Sequence, residues 1–538
     1  MKKILTLCAL ALVMSSCSDF IEEENLSNET APYYETATGY ELLINANYSQ
    51  LREIYGDDAY MFCAGTDLYA VGSGRGSEPD GLSQYTQLNS SSSGVDHIYR
   101  TCFEAIRMAN TAIHYSTLTQ PVSNLDELVG EVKYLRANAY FLLVQTYGGV
   151  SIVTQFIETP VLSFDRNSAE EVYEYILTDL QEALGAVGDG SYNGRVTKRA
   201  VEHLLAKVYL ARAYEDFAES TDFEMAASYA DAAISGQGLN IPFGELWAPK
   251  NEMNEEVLFS VQFDGASVST APTELGHKQA NWFSSYLGGS ENIDNGIVNA
   301  PWRSYTLLAT DFALGLFSED DERYQATFMT EVYEKYYDAF REDDTSDLDV
   351  VHYYAPQWAT QADLDAYALA NPLAEIHEWG TYAAGVVSSD YQTIPARKFD
   401  DPDAPFENDA RVSTRDIILS RLGETYLVAA EAYLNVNPGI GLQRLNVVRE
   451  RAGLLPLGSY DIDELLDERA RELFGEYHRW FDLKRTGKLV ERASMHNYLI
   501  ETGNFAGANG ELKILRPIPQ SALDLNQNAD FPQNPAYQ

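Results

Sequence analysis

Three segments of this 538-residue chain place an alanine three residues before a tyrosine that an apolar residue follows: Ala137 to Phe141, Ala206 to Leu210 and Ala430 to Leu434. Residues three apart share one helix face, and a small side chain beside a large one leaves room for a neighbouring helix. Each segment has a second amphipathic stretch nearby: Glu171 to Val187, Phe223 to Ile234, and Leu442 to Gly453, where Gly453 reads as a C-terminal stop. Tyr40 to Tyr55 with Ile98 to Tyr115 makes a fourth pair, split by a long loop. The pattern predicts a mainly α fold of paired helices.

The third pair carries Leu422-Gly423-x-x-Tyr426 ahead of Ala430, the Leu-Gly-x-x-Tyr…Ala portion of a tetratricopeptide helix. Spacings between pairs are irregular, so the expectation is about four tetratricopeptide-like pairs with large insertions on one side. Glycine, proline and aromatic residues punctuate 235–415, and Val257 to Phe263 alternates enough for a strand. Residues 41–538 are expected to form a single domain: an N-terminal helical half (41–234), a loop-rich insertion (235–415) and a C-terminal helical half (416–538).

Ahead of it, Lys2 and Lys3 precede an apolar run from Ile4 to Met14, then Ser15, Ser16 and Cys17. Such a run has the length of a signal-peptide core and is too short to span a bilayer. Residues 1–16 resemble a bacterial lipoprotein signal, with Cys17 as the lipidated residue; an ordinary secretory signal with a chance cysteine is the alternative. Residues 17–40 are polar and acidic and read as a flexible tether.

The formal charge is −44, which repels phosphate backbones, so nucleic acid is not an expected partner. Outside the signal and Cys17 only Cys63 and Cys102 remain; they either pair or lie buried as thiols. There is no Cys/His zinc spacing, His-Glu-x-x-His, Gly-x-Ser-x-Gly, phosphate loop or dinucleotide fingerprint. No metal, cofactor or catalytic residue is expected.

Asp461 to Leu489 reads as one amphipathic helix with Ile462, Leu465, Leu466, Leu473, Tyr477, Trp480 and Phe481 on one stripe. Asp461 and Glu464 resemble a capping box, and Arg469, Arg479 and Arg485 are expected to pair with internal carboxylates. Within this block, Glu468-Arg469…Glu472-Leu473…Glu476-x-x-Arg479-Trp480-x-Asp482-Leu483-x-Arg485-Thr486-Gly487 resembles the RagB/SusD family. Leu515-Arg516-Pro517-Ile518-Pro519 and Gln533-Asn534-Pro535-Ala536-Tyr537 reinforce the match, while the family more often has glycine at the position of Tyr477. The resemblance implies a SusD-like fold with an irregular, partly β ligand face. It also implies an outer-membrane lipoprotein that captures oligosaccharides at the cell surface and passes them to a SusC-like TonB-dependent barrel transporter. A tetratricopeptide-type protein binding peptides is the second reading.

Sugars present CH faces and hydroxyl edges, so their binders need flat rings beside hydrogen-bonding side chains. Trp282 and Trp302 flank a Gly/Ser/Asn-rich segment and are the expected stacking platforms, with Tyr286 beside them. Trp358 and Trp379 are second choices, and Trp480 belongs to the core stripe. The earlier loop offers Asp67, Tyr69, Arg75, Tyr85 and Asn89.

Overall fold

The computed structural model describes residues 31–56, 58–71, 80–263, 276–283, 285, 306–341, 345–384, 386, 393–404 and 412–538. Eight helices form the scaffold: α1 (Ala37–Tyr55), α2 (His97–Tyr115), α3 (Leu125–Tyr147), α4 (Ala169–Ala186), α5 (Lys198–Arg212), α6 (Asp222–Ile234), α7 (Leu422–Val436) and α8 (Pro438–Arg451). They pack as α1/α2, α3/α4, α5/α6 and α7/α8, the four pairs expected from the sequence.

Small residues set how closely the helices approach. A Cβ at Gly441 of α8 would lie 2.9 Å from the Ala430 carbonyl of α7, so the third Ala-x-x-Tyr alanine marks a crossing. Across the chain, α7 beds on α5 and α6 through an alanine-rich seam of Ala206, Ala226, Ala227, Ala230, Ala429 and Ala432. The tyrosines reach over these seams: Tyr209 stacks on Tyr229 at 5.7 Å, and Tyr433 donates to Asp231 at 2.8 Å. Helix ends follow local chemistry. Ser168 and Glu171 form a reciprocal capping box at α4, and Gly453 ends α8 with φ of +82°.

Short strands, most of them from the insertion, form three small sheets. These are β1 (Tyr69–Ala70), β2 (Val257–Val261), β3 (Leu308–Ala309), β4 (Glu331–Tyr333), β5 (Val350–Tyr354), β6 (Glu375–His377) and β7 (Ile417–Arg421). β1 pairs with β3 and β2 with β7, both antiparallel; β5 lies between antiparallel β4 and parallel β6.

Two expectations are corrected. The flexible segment expected over 17–40 does not hold to its end, because Ala31–Tyr34 is helical and α1 starts at Ala37. Thr36 caps α1 by accepting from the Gly39 N–H at 3.0 Å, and the Tyr34 ring packs on Tyr115. The single helix over 461–489 is broken into α9 (Ile462–Glu472), α10 (Arg479–Arg485) and the start of α11 (Leu489–His496). Between α9 and α10 the backbone turns left-handed, with φ of +77° at Gly475 and +67° at Tyr477. A Cβ at Gly475 would sit 2.3 Å from the Phe399 ring, so only glycine fits. Tyr477 holds its unfavourable angle because its buried ring stacks on Phe62 at 5.0 Å. The left-handed angle is the physical reason glycine suits this position. The apolar stripe is nevertheless inside, and Trp480 is fully buried. Asp461 caps α9 through the Asp463 and Glu464 N–H groups, without a return bond from Glu464.

The expected internal ion pairs are present and extensive. Arg469 meets Asp482 at 2.7 Å, and Arg485 meets Glu431 at 2.7 Å. Glu468, Glu472 and Glu476 converge on Arg323, Arg421 and Lys398. Arg421 contacts both Glu476 oxygens, at 2.7 and 2.8 Å, and Glu472 at 2.6 Å. Burial alone would raise Glu468, but Arg323 and Arg471 outweigh it and hold the carboxyl at about 2. Burial lowers Lys398 to about 8 despite its contact with Glu476. Each pair costs solvation, yet removing one partner from such a network strands a buried charge, at about 3–5 kcal/mol.

Candidate functional site

Three of the expected loop residues are internal. Asp67 is fully buried, gripped by Arg479 at 2.8 and 2.6 Å and by Arg492 at 3.1 Å. The Tyr69 hydroxyl accepts from the Gly475 N–H at 2.7 Å, and its ring lies between Phe283 and Phe474. Tyr85 is fully buried, donates to the Gly65 carbonyl and accepts from the Trp480 indole. Burial raises both hydroxyls above the usual tyrosine range. These three side chains are corrected from ligand contacts to fasteners between the early loop and the C-terminal helices. Their partners lie some four hundred residues away, which a local reading of a polar loop does not register.

Asn89 is exposed, with its amide folded onto its own turn through Gln87 and Ser91. Arg75, Tyr286, Trp302 and Cys17 lie outside the described residues. Cys63 and Cys102 are buried free thiols, which burial raises above the usual thiol range.

Trp282 is half-buried and ends the short helix Gln279–Trp282. Its ring lies 5.1 Å from Tyr60, and its carbonyl accepts from the Leu307 N–H at 3.0 Å. That bond joins it to β3, which pairs with β1 and accepts at Ala309 from the Ala384 N–H. One described flank of each of segments 72–79, 286–305 and 387–392 is therefore gathered on β3, next to the Leu307 that bonds Trp282. At the other end of the helix, His277 and Ser413 exchange backbone hydrogen bonds, which brings together the flanks of 264–275 and 405–411. His277 is buried and satisfied as the neutral ring: Nε2 donates to the Arg415 carbonyl at 2.7 Å and Nδ1 accepts from the Gln279 N–H at 3.1 Å. Burial lowers it to about 4.

A second aromatic group continues from β3 through Ala384. Tyr382 donates to the Ala355 carbonyl and contacts Tyr354 at 5.3 Å; half-buried Trp379 meets it edge-on at 6.0 Å. Trp358, also half-buried, stands edge-on to Tyr324 at 5.1 Å. Farther along, Tyr353 stacks on Tyr367 at 3.8 Å, and Glu331 accepts from the Tyr333 and Tyr367 hydroxyls at 2.9 and 2.7 Å. This sheet edge, with His352, Glu375 and His377, is not among the sequence candidates. Only Glu375-Ile376-His377 leaves a signal, since alternate strand residues share a face. Burial lowers His352, and burial with His352 beside it lowers His377 to about 4. Partly exposed rings interleaved with hydroxyl and carboxylate edges have the chemistry to stack on sugar faces and bond their hydroxyls.

Paired helices carrying an aromatic, loop-built face define the class of protein. A family model described as "SusD family" matches residues 255–537, and one described as "Starch-binding associating with outer membrane" matches residues 19–210. A SusD-like protein of Bacteroides ovatus is 26% identical over 510 residues, covering 89% of this chain and 82% of that protein. Starch-binding protein SusD of Bacteroides thetaiotaomicron is 23% identical over 433 residues, covering 76% of this chain and 72% of that protein. The solved structure of a laminarin binding SusD-like protein matches with a TM-score of 0.70 at 22% identity, covering 94% of this chain and all of that one. The chain belongs to the SusD family.

Proposed function

We propose that this protein captures oligosaccharides at the outer surface of a cell by binding alone, and passes them to a SusC-like TonB-dependent barrel transporter. Cys17 carries the lipid that holds it to the outer membrane, and the acidic residues after it serve as the tether. The observation that carries the reading is Trp282, a partly buried indole on the short helix Gln279–Trp282, at whose two ends the described flanks of five segments gather. Family relatives named for starch and for laminarin support glycan as the ligand class. Among the described residues no helix is long and apolar enough to cross a membrane. Against the peptide-groove reading stands the seam of the second helix pair, already filled by the alanines of α7.

The test is retention in native gels cast with soluble polysaccharides, laminarin and starch among them. Retention by at least one glycan, weakened in Trp282→Ala, supports the reading. Retention by none, or unchanged retention in the variant, contradicts the site. Co-purification of a barrel transporter with the chain from its native membrane tests the partner.

A further inference from the structure

We propose that His352, Glu375 and His377 form a site for a divalent first-row transition ion, with zinc the best match. The parallel pairing of β5 with β6 sets His352 opposite Glu375 and Tyr354 opposite His377. Glu375 and His377 are two apart on one strand and so share a face. His352 Nδ1 lies 3.1 Å from His377 Nε2 and 3.7 Å from a Glu375 carboxylate oxygen. All three ligand atoms fall within 4.8 Å of one another, and no other such group of three occurs among the described residues. Ligands about 2.1 Å from a tetrahedral ion are separated by about 3.4 Å, and the two His352 spacings bracket that edge.

The donor set also fits. Two imidazoles and one carboxylate are a known zinc complement, one that leaves a fourth position open. Hard ions such as calcium prefer six or more oxygens, which this group does not offer. The frame is firm on the histidine side. His377 stacks on the Tyr354 ring at 4.4 Å, its carbonyl accepts from the Ala355 N–H, and Tyr354 itself is tied to Thr330. Glu375 is the exposed member, its side chain 62% exposed, and it would close on the ion from the solvent side. Without an ion, the same geometry is a neutral His–His hydrogen bond next to a surface carboxylate.

Equilibrium dialysis of the untagged, purified chain against zinc, with metal content read by mass spectrometry, separates the two. About one zinc per chain is expected, with affinity lost by at least about tenfold in His352→Gln and in Glu375→Gln. Glu375→Gln alters only an exposed side chain, so it reports on ligation even if a histidine variant folds poorly. No zinc retained by the wild-type chain, or equal retention in Glu375→Gln, overturns the proposal.

Discussion

Asp67 and Arg479 stand 412 residues apart in the chain and meet as a two-pronged buried ion pair, at 2.8 and 2.6 Å. Arg492 adds a third contact, so one carboxylate ties the early loop to α10 and α11. Burial alone would raise Asp67, but the two guanidiniums hold it below its ordinary value. Asp67→Ala leaves the buried Arg479 without its carboxylate, while Arg492 keeps Asp463 and Asp467, and is expected to cost about 3–5 kcal/mol. The urea midpoint should fall, while glycan retention by the folded fraction stays at wild-type level. Lost retention at unchanged stability would return Asp67 to the ligand face.

The turn between α9 and α10 makes a second claim. In Gly475→Ala a left-handed angle costs about 1–2 kcal/mol before packing is counted. The added Cβ would also press on Phe399, and the Gly475 N–H would be drawn from Tyr69. Denaturant unfolding should therefore show a loss exceeding that backbone figure. A loss under about 1 kcal/mol would mean the turn relaxes freely.

Acid should destabilise the fold in two stages. His277 and His478 each drop from 6.5 to about 4 in the folded protein, chiefly through burial. The unfolded rings thus bind protons first, and stability falls as pH drops from about 6.5 to about 4, by up to roughly 3 kcal/mol for each ring. Glu468, held at about 2 against 4.5, contributes stability above pH 4.5 that is lost as pH falls toward 2. Urea unfolding measured from pH 7 to 4.5 should show the first stage. Constant stability across that interval would contradict the buried neutral histidines.

Cys63 and Cys102 should resist a thiol reagent in the native chain and react together once it unfolds, since both are buried and burial disfavours their thiolates. Reducing agent should leave the melting temperature unchanged. A reductant-sensitive melt would indicate a disulfide instead.

The four helix pairs were legible because period and small–large spacing are local properties. The motifs that carry the family resemblance are legible too, but they specify scaffold. Gln533 exchanges hydrogen bonds with the Ile518 backbone, Asn534 bonds the Tyr147 and Arg516 carbonyls, and Glu468, Glu472 and Glu476 are internal ion-pair partners. The ligand face is less legible. Burial of Asp67, Tyr69 and Tyr85 is decided by distant partners, and the break at Tyr477 is set by a ring contact rather than by helix period. Trp282 is proposed from a local signal again, the Gly/Ser/Asn-rich stretch that follows it in the sequence.

Calorimetry tests the central claim most directly, with soluble oligosaccharides titrated into the chain and reducing ends assayed in the same samples. The account predicts saturable heat with at least one oligosaccharide, no new reducing ends, and affinity lowered about tenfold in Trp282→Ala, the equivalent of about 1.4 kcal/mol. Release of reducing sugar, or the same affinity in Trp282→Ala, would contradict it.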